Sequence, residues 1–249
     1  MAELHDRIRA WWDEDAGTYD AAAGHSMSDP IERAAWRAVL ERSLPPAPAR
    51  VLDVGAGTGA MSLLASELGY DVTGVDLSEG MLARARRKAE EDGLAVTFAL
   101  GSAAEPPPGP FDAVMERHVL WTIDDPVTAL RGWRERVVPG GRLAVFEGSW
   151  GGSGPFAGFR ESIHQAARRL LRRDGAAAHH APYPPEILDG LPLAGAGSPE
   201  PFVAAVRDAG WRRIRIVRLR DVEWAVARRE LWPLGWLGHR DRWALLAEA

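Results

Sequence analysis

The feature that most constrains this chain is a glycine-rich loop between an apolar strand and a helix. Residues 50–60 read Arg-Val-Leu-Asp-Val-Gly-Ala-Gly-Thr-Gly-Ala, with glycine at three alternate positions. Glycine allows a positive φ and lets a ligand lie directly against the backbone, and Asp53 adds a carboxylate at the end of the strand. The loop therefore predicts a cradle for a cofactor. The same spacing of small residues also satisfies the dinucleotide-binding pattern, so two cofactor classes stay open at this point.

Composition and charge exclude several kinds of partner. The 249 residues carry a net charge of −5, which leaves no basic footprint for nucleic acid, and no apolar run approaches the roughly 20 residues that span a bilayer. The chain has no cysteine, and the charged residues 1–9 lack the apolar core of a secretory signal. We expect a cytoplasmic protein with a small-molecule substrate, without a nucleic-acid or membrane partner and without a metal site. The pattern does not indicate an oligomeric state.

From residue 50 onward, short apolar runs alternate with amphipathic runs that carry helix start and stop signals. Ser78 and Asp125 stand where helix caps are expected, and Gly69 and Gly93 stand where helices end. This alternation predicts an α/β fold with a doubly wound, mostly parallel, seven-stranded, Rossmann-like sheet. The connection before the last strand shows no convincing crossover helix, so this strand is expected to run antiparallel. The predicted strands are 50–54, 71–75, 95–100, 111–115, 142–146, 211–219 and 242–247.

Two helical segments flank or interrupt this alternation. We expect a single domain over residues 1–249, with an N-terminal helical lid over 1–45 and a cap inserted at about 148–199. Apolar residues at helical spacing within 156–170 predict an amphipathic helix in the cap. Residues 174–199 follow as a loop of a length that is usually functional. The lid and the cap are expected to close together over a bound substrate.

The end of the second predicted strand does not separate the two cofactor classes, because both place an acidic residue there to hold ribose hydroxyls, and Asp76 fits either. Three other features do. Asp53 lies two residues before the first glycine, where it would face an ammonium group; the glycines alternate; and residues 139–141 (Pro-Gly-Gly) lead into the fifth strand. With the terminal strand pair, these features make the chain resemble the class I S-adenosylmethionine-dependent methyltransferases, and more narrowly the small-molecule branch that includes the ubiquinone/menaquinone-biosynthesis type. The resemblance covers roughly residues 11–146.

This resemblance implies S-adenosyl-L-methionine as the cofactor and relates its parts to positions in this chain. The glycine loop packs against the methionine part, Asp76 binds the ribose, and the apolar residues after it flank the adenine. The family commonly has Gly-Asp-Ala after strand three, where this chain has Gly-Ser-Ala. Ser102 can accept the adenine hydrogen bond only without charge assistance, so we expect that bond to be weaker and the adenine to be held through the backbone of Ser102 and Ala103. The implied cofactor-binding residues are Tyr19, Asp53, Gly55, Ala56, Gly57, Gly59, Asp76, Leu77, Met81, Ser102, Ala103 and Arg117.

The substrate side is less constrained by the sequence. His118 follows the fourth strand, at the end of a parallel sheet where ligands collect, and is the candidate catalytic base; a satisfied structural histidine is the alternative. Trp121 offers an aromatic face that would attract a sulfonium cation. His179 and Tyr183 either reach the substrate from the cap or are solvated loop residues. The candidate substrate residues are Trp11, His25, Trp121, His179 and Tyr183.

The sequence thus predicts an enzyme that transfers a methyl group from S-adenosyl-L-methionine to N, O or C of a small molecule. Lys88 is the only lysine beside 29 arginines, which indicates a GC-rich bacterial genome and, with the variable cap, favours specialised metabolism. A nicotinamide-dependent oxidoreductase is disfavoured because the single lysine is not part of a Tyr-x-x-x-Lys pattern. A non-catalytic cofactor-binding paralogue is the third hypothesis, disfavoured by the intact glycine loop.

Overall fold

A seven-stranded sheet organises the computed structural model, which describes residues 2–21, 25–149, 162–163, 183, 185–229, 235 and 240–249. All seven predicted strands are present, and the second, fourth, fifth and seventh are longer than predicted, the fifth most of all. The strands are β1 (Arg50–Val54), β2 (Asp71–Asp76), β3 (Val96–Leu100), β4 (Phe111–Arg117), β5 (Val137–Gly148), β6 (Arg212–Arg218) and β7 (Arg242–Glu248).

The order of the strands places the glycine loop at the centre of one sheet edge. Across the sheet the order is β3-β2-β1-β4-β5-β7-β6. β1 pairs in parallel with both β2 and β4, while β7 is antiparallel to both β5 and β6. The strand order reverses between β1 and β4, and ligands of open α/β sheets bind outside the carboxyl ends of the strands at such a switch point. The predicted sheet, including its antiparallel last strand, is confirmed.

Helices cover both faces of the sheet, and side-chain caps explain where several of them begin. Asp29, Ser78 and Asp125 each accept hydrogen bonds from backbone amides in the first turn of the helix that follows. Short 3-10 turns lie at Tyr19–Ala21 and Leu120–Thr122. The α-helices are α1 (Ala2–Asp15), α2 (Pro30–Ser43), α3 (Ala60–Glu67), α4 (Glu79–Glu91), α5 (Pro126–Glu135), α6 (Pro185–Leu188), α7 (Glu200–Asp208) and α8 (Arg220–Ala227).

The core has two layers because successive strand residues point to opposite faces. On one face, Val114 and its neighbours pack with Trp133 of α5 and Phe202 of α7. On the other face, Met115 and its neighbours pack with Trp36 of α2, together with residues of α3 and α8. Burial on both faces is what a parallel sheet requires.

The β6–β7 connection and the cap segment bear on two of the sequence expectations. The connection from β6 to β7 contains helix α8, contrary to the expectation that it lacks a helix. The prediction that β7 runs antiparallel is nevertheless confirmed. Helix α8 packs against α2 and β7 and does not carry the chain across to a parallel strand. In the cap segment 148–199, the described part includes Tyr183 and residues 185–199, while the helix predicted within 156–170 lies outside the described residues apart from 162–163. The division into one domain with a lid and a cap stays a prediction.

Candidate functional site

A cleft of about 760 Å³ opens at the carboxyl ends of β1, β2 and β4. Its walls come from α1, the glycine loop, the start of α4 and the segments after β3 and β4. The lining residues are His5, Ile8, Trp12, Tyr19, Gly55, Gly57, Asp76, Leu77, Met81, Ser102, Ala103, Ala104, Arg117, His118, Val119, Thr122 and Ile123.

The glycine loop forms the floor of this cleft. The amides of Gly55 and Ala56 both donate to the carbonyl oxygen of Val75, at 2.8 and 2.9 Å, and so tie the loop to the end of β2. Gly55 has a φ of +69°, and a Cβ there would lie 2.2 Å from a methyl carbon of Val119. Gly57 has a φ of +55°, and a Cβ there would meet no atom within 4 Å. Gly55 therefore permits close packing of the loop, while Gly57 leaves its backbone open to the cleft.

Asp76 places a half-buried acceptor group in the cleft. One carboxylate oxygen, Oδ2, accepts from the amide of Gly57 at 2.8 Å, and the other, Oδ1, accepts from the amide of Ser78 at 2.9 Å. Burial raises the pKa of Asp76, and these two amide hydrogen bonds oppose that shift. A carboxylate has more acceptor sites than two amides fill, so Asp76 can accept further hydrogen bonds from a diol.

Two buried carboxyl groups lie beneath the loop. Asp53 Oδ2 accepts from the hydroxyl of Ser62 at 2.5 Å, and burial raises the Asp53 pKa to about 7. Glu116 Oε2 accepts from the amides of Val119 and Leu120, at 2.7 and 3.2 Å, and burial raises the Glu116 pKa to about 8. Glu116 thereby fixes the wall formed by Val119. The sequence analysis assigned Glu116 no separate role. The signal that could have indicated one is an acidic residue within an otherwise apolar strand.

A smaller cavity of about 290 Å³ adjoins the loop on the other side of Gly57. It brings Asp53 together with Tyr19 from the N-terminal segment and Arg117 from the end of β4. Arg117 Nη2 also donates to the carbonyl oxygen of His25 at 3.0 Å, so the end of β4 is tied to that segment. The remaining lining residues are Gly55, Ala56, Gly57, Thr58, Ala60 and Met61.

His118 lies on the cleft wall with a backbone conformation that is unusual for a side-chain-bearing residue, at a φ of +63°. Its Nδ1 is 3.2 Å from Glu147 Oε2, and its Nε2 is 3.4 Å from Arg242 Nη1. Because a guanidinium can only donate, Nε2 accepts from Arg242 and the ring is neutral, with its proton on Nδ1 directed at Glu147. Burial, with further contributions from Arg242 and Arg117, holds the pKa of His118 well below its usual value.

Sequence reasoning did not find Glu147 or Arg242 as neighbours of His118. They come from the ends of β5 and β7, which pair with Gly148 opposite Arg242. Nothing local in the sequence relates these positions to residue 118; only the insertion of β7 beside β5 brings them together.

The aromatic candidates Trp11, Trp121 and Tyr183 lie together, but none of them lines the two cavities described above. The Tyr183 ring is 4.6 Å from that of Trp11 and 5.6 Å from that of Trp121, measured between centroids. With Ile8 and Ile187 they belong to an apolar cluster that joins α1 to the end of the cap. Their observed contacts are those of packing between the two segments.

Most of the other candidates line the two cavities. The candidates that line one or both cavities are Tyr19, Asp53, Gly55, Ala56, Gly57, Asp76, Leu77, Met81, Ser102, Ala103, Arg117 and His118. Gly59 does not, and a Cβ there would lie 3.0 Å from that of Ala85 on α4, so it serves close packing of the loop on that helix. The His25 ring contacts that of Tyr19 at 4.2 Å between centroids, with the two planes tilted by 43°. His179 lies outside the described residues.

The N-terminal helix α1 contributes a wall that sequence reasoning did not specify. His5, Ile8 and Trp12 of α1 line the cleft. Their spacing of three and four residues puts them on one helix face, which was visible in the sequence but had no known partner surface. Among the described residues, no group of three His, Asp or Glu side chains could hold a metal ion, and no helix has the length and apolar character to cross a membrane.

Comparisons with known proteins show similarity to methyltransferases. Residues 52–145 match a family model described as a methyltransferase domain. Demethylmenaquinone methyltransferase from Thermus thermophilus is 42% identical over 117 residues, which are 45% of this chain and 53% of the relative. Ubiquinone biosynthesis O-methyltransferase from Pseudomonas aeruginosa is 33% identical over 146 residues, 57% of this chain and 60% of the relative. The chain therefore matches between half and two thirds of the length of these curated relatives.

A solved structure extends the likeness in fold over nearly the whole chain. Phosphoethanolamine N-methyltransferase 2 from Haemonchus contortus, in complex with S-adenosyl-L-methionine, has a TM-score of 0.64 at 19% identity and covers 98% of this chain and 59% of its own. The sheet order and cleft are those of a Rossmann-like methyltransferase fold. In these matches the chain resembles the class I S-adenosylmethionine-dependent methyltransferases, and more narrowly their quinone-biosynthesis type. S-adenosyl-L-methionine is the cofactor of this class, which confirms the cofactor prediction.

Proposed function

We propose that this chain transfers a methyl group from S-adenosyl-L-methionine to N, O or C of a small molecule. The observation that carries the proposal is the position of Asp76, a half-buried carboxylate facing a cleft whose floor is the open backbone of Gly57. A ligand with a ribose and an adjoining amino-acid part fits this combination, since the carboxylate can accept from the diol while the backbone can lie against the rest. A dinucleotide would instead direct its pyrophosphate toward buried Asp53, where two like charges would meet.

The described residues would hold the cofactor in three parts. Leu77 and Met81 would flank the adenine, with Ser102 and Ala103 at its polar edge; all four line the cleft. The ribose would lie at Asp76. The methionine part would lie along the glycine loop toward the smaller cavity, where Arg117 and Asp53 offer opposite charges for its carboxylate and ammonium. The remaining proposed cofactor contacts are Tyr19, Gly55, Ala56, Gly57 and Gly59.

When bound, S-adenosyl-L-methionine supplies the methyl group on a sulfonium, which leaves as a neutral thioether. The chain therefore has to align the acceptor and exclude water, which can contribute about 7–11 kcal/mol to lowering the barrier. An amine acceptor needs no base once it is bound neutral. For a hydroxyl or carbon acceptor we propose His118, whose neutral ring would accept the proton at Nε2 after exchanging its 3.4 Å contact with Arg242 for the acceptor. Glu147 would stabilise the imidazolium that results.

The proposed acceptor is a small molecule, in line with relatives named for quinone biosynthesis. Its binding side would be completed by the N-terminal lid and the cap, whose described ends meet in the aromatic cluster of Trp11, Trp121 and Tyr183. Further parts of the proposal are a role in bacterial specialised metabolism and the absence of a nucleic-acid partner. His25 and His179 are also proposed substrate residues, as the sequence predicts.

A transfer assay tests the function directly. The protein is incubated with S-adenosyl-L-methionine labelled in its methyl group and a panel of phenols, quinols, amines and carbon acids, and the label is followed into product. We expect transfer to at least one acceptor and its loss in Asp76→Ala. Asp71→Ala, at the exposed opposite end of β2, should retain it. If the protein instead binds NADH and transfers no label, the oxidoreductase hypothesis holds; if it binds the cofactor but modifies no acceptor, the non-catalytic hypothesis gains.

A further inference from the structure

The single lysine of the chain lies in a closed ring of polar contacts that connects three separate segments. Lys88 Nζ lies 2.7 Å from Asp20 Oδ2 and donates to the carbonyl oxygen of Thr58 at 2.9 Å. The hydroxyl of Thr58 in turn donates to Asp20 Oδ1 at 2.6 Å. Each member of the ring thus contacts both others. Asp20 belongs to the N-terminal segment, Thr58 to the glycine loop and Lys88 to α4.

We propose that Lys88 is a positioning residue that locks the N-terminal segment onto the glycine loop and thereby controls how fast the cofactor leaves. The proposal rests on the proposed function for its second half, because it assumes that the cofactor lies in the cleft. Its first half concerns the protein alone and can be tested without any ligand.

The ring is the last of three contacts along one stripe of α4. Gly80, Arg84 and Lys88 are four residues apart and therefore share one face of the helix. The amide of Gly80 donates to Asp13 Oδ1 at 3.2 Å, and Ser78 Oγ donates to the same oxygen at 2.5 Å. Arg84 Nη2 donates to the carbonyl oxygen of Gly17 at 2.9 Å. The N-terminal segment is therefore fastened in sequence order along this stripe.

Close packing shows that the segment is seated on α4. A Cβ on Gly80 would lie 3.2 Å from the Cβ of Ala16 and 3.4 Å from the carbonyl oxygen of Asp13. The distance to Ala16 would be tighter than most Cβ contacts, so glycine at position 80 lets the segment approach α4 closely. The Lys88 contact differs from the other two because it alone also reaches the glycine loop.

The ring fixes the position of Tyr19, which faces both cavities. Tyr19 precedes Asp20 and lines the larger cleft and the smaller cavity. Thr58 follows Gly57, whose amide is held by Asp76. A ligand in the cleft thus has Tyr19 on one side and the glycine loop on the other, and Lys88 joins the two. The Lys88 and Asp20 side chains are 27% and 21% exposed, so solvent screens this pair less than a surface ion pair.

Hydrogen exchange of the protein without ligand tests the lock. Lys88→Met keeps the aliphatic length of the side chain and removes its charge. Arg87→Met, on the neighbouring exposed position of α4, is the matched control. We expect the amides of residues 8–21 to exchange roughly tenfold faster in the Lys88 variant, equivalent to about 1.4 kcal/mol of opening free energy, and unchanged in the control. Unchanged exchange in Lys88→Met overturns the proposal.

A second variant and a second readout keep the test decisive. Asp20→Asn breaks the ring from the other side and should accelerate exchange similarly, while the double variant should exceed neither single one by more than about twofold. Dissociation of S-adenosylhomocysteine, followed by stopped flow, should be about five- to tenfold faster in both variants, and Lys88→Arg should recover part of the loss. Additive effects of the two substitutions contradict the ring. If the unaltered protein binds no S-adenosylhomocysteine, the proposed function fails, whereas the exchange result still decides whether the lock exists.

Discussion

Alanine substitutions at Gly55 and Gly57 should separate two roles of the glycine loop. Both positions have a positive φ, so each substitution costs about 1–2 kcal/mol in backbone energy. At Gly55 the new Cβ would also lie 2.2 and 2.9 Å from the two methyl carbons of Val119, and overpacking of this kind adds about 1–3 kcal/mol. Gly57 adds no such overlap, because a Cβ there meets no atom within 4 Å. Gly55→Ala should therefore destabilise the protein by about 1–3 kcal/mol more than Gly57→Ala.

Urea denaturation of the two variants measures this difference, since both substitutions alter the unfolded chain in the same way. The order should reverse for cofactor binding: the Cβ of Gly57→Ala projects into the open cleft, and we expect S-adenosylhomocysteine affinity to fall at least tenfold there. In a Val119→Ala background the nearest remaining contact of the Gly55→Ala side chain is 3.1 Å, so the two substitutions should be less than additive. Equal free energies of unfolding for Gly55→Ala and Gly57→Ala would refute the account of how the loop packs on Val119.

Three further predictions concern the buried carboxyl groups and the His118 network. Burial raises the pKa of Glu116 to about 8, above that of an unfolded glutamate. Between these two pKa values the folded state keeps a proton that the unfolded state loses. The stability that this group contributes is therefore present below about pH 4 and is lost as the pH rises toward 8. Glu116→Gln keeps the acceptor oxygen for the Val119 and Leu120 amides. It should therefore make the slope of unfolding free energy against pH, between pH 5 and 7, less negative by up to about 1.4 kcal/mol per pH unit. The exposed control Glu91→Gln should leave this slope unchanged. Asp53→Asn should act in the same direction over pH 4–7, measured by the same urea titrations, because the Asp53 pKa is raised to about 7. For a hydroxyl or carbon acceptor, His118→Ala should lower kcat by a factor on the order of 10²–10⁴ with unchanged S-adenosylhomocysteine affinity, and a loss in affinity without a loss in kcat would assign His118 to cofactor binding instead.

The sheet and the cofactor loop could be predicted because their signals are local. Apolar runs bounded by caps and glycines marked the strands. The spacing of Asp53 and Asp76 around the loop was enough to place Asp76 at the cleft and Asp53 at the adjoining smaller cavity. Helix α8 was missed because arginine and glutamate interrupt its short apolar pattern, which becomes clear only once Val222 packs against α2.

The long-range contacts of the site could not be predicted from local patterns. His118 was identified, but Glu147 and Arg242 reach it only because β7 inserts beside β5. Lys88 was noted as the single lysine, and its partner Asp20 lies 68 positions earlier in the chain. Trp121 and Tyr183 had aromatic character suited to a substrate, yet they lie in the cluster that joins α1 to the cap, since pattern alone does not distinguish packing from ligand contact.

A calorimetric titration tests the central claim that this cleft holds the cofactor through Asp76. S-adenosylhomocysteine is titrated into the unaltered protein, Asp76→Ala and the matched control Asp71→Ala, with NADH as the competing ligand class. The account predicts saturable one-site binding in the unaltered protein and in Asp71→Ala, a loss of at least tenfold in affinity in Asp76→Ala, and no binding of NADH. Equal affinity in all three proteins, or binding of NADH in place of S-adenosylhomocysteine, would contradict it.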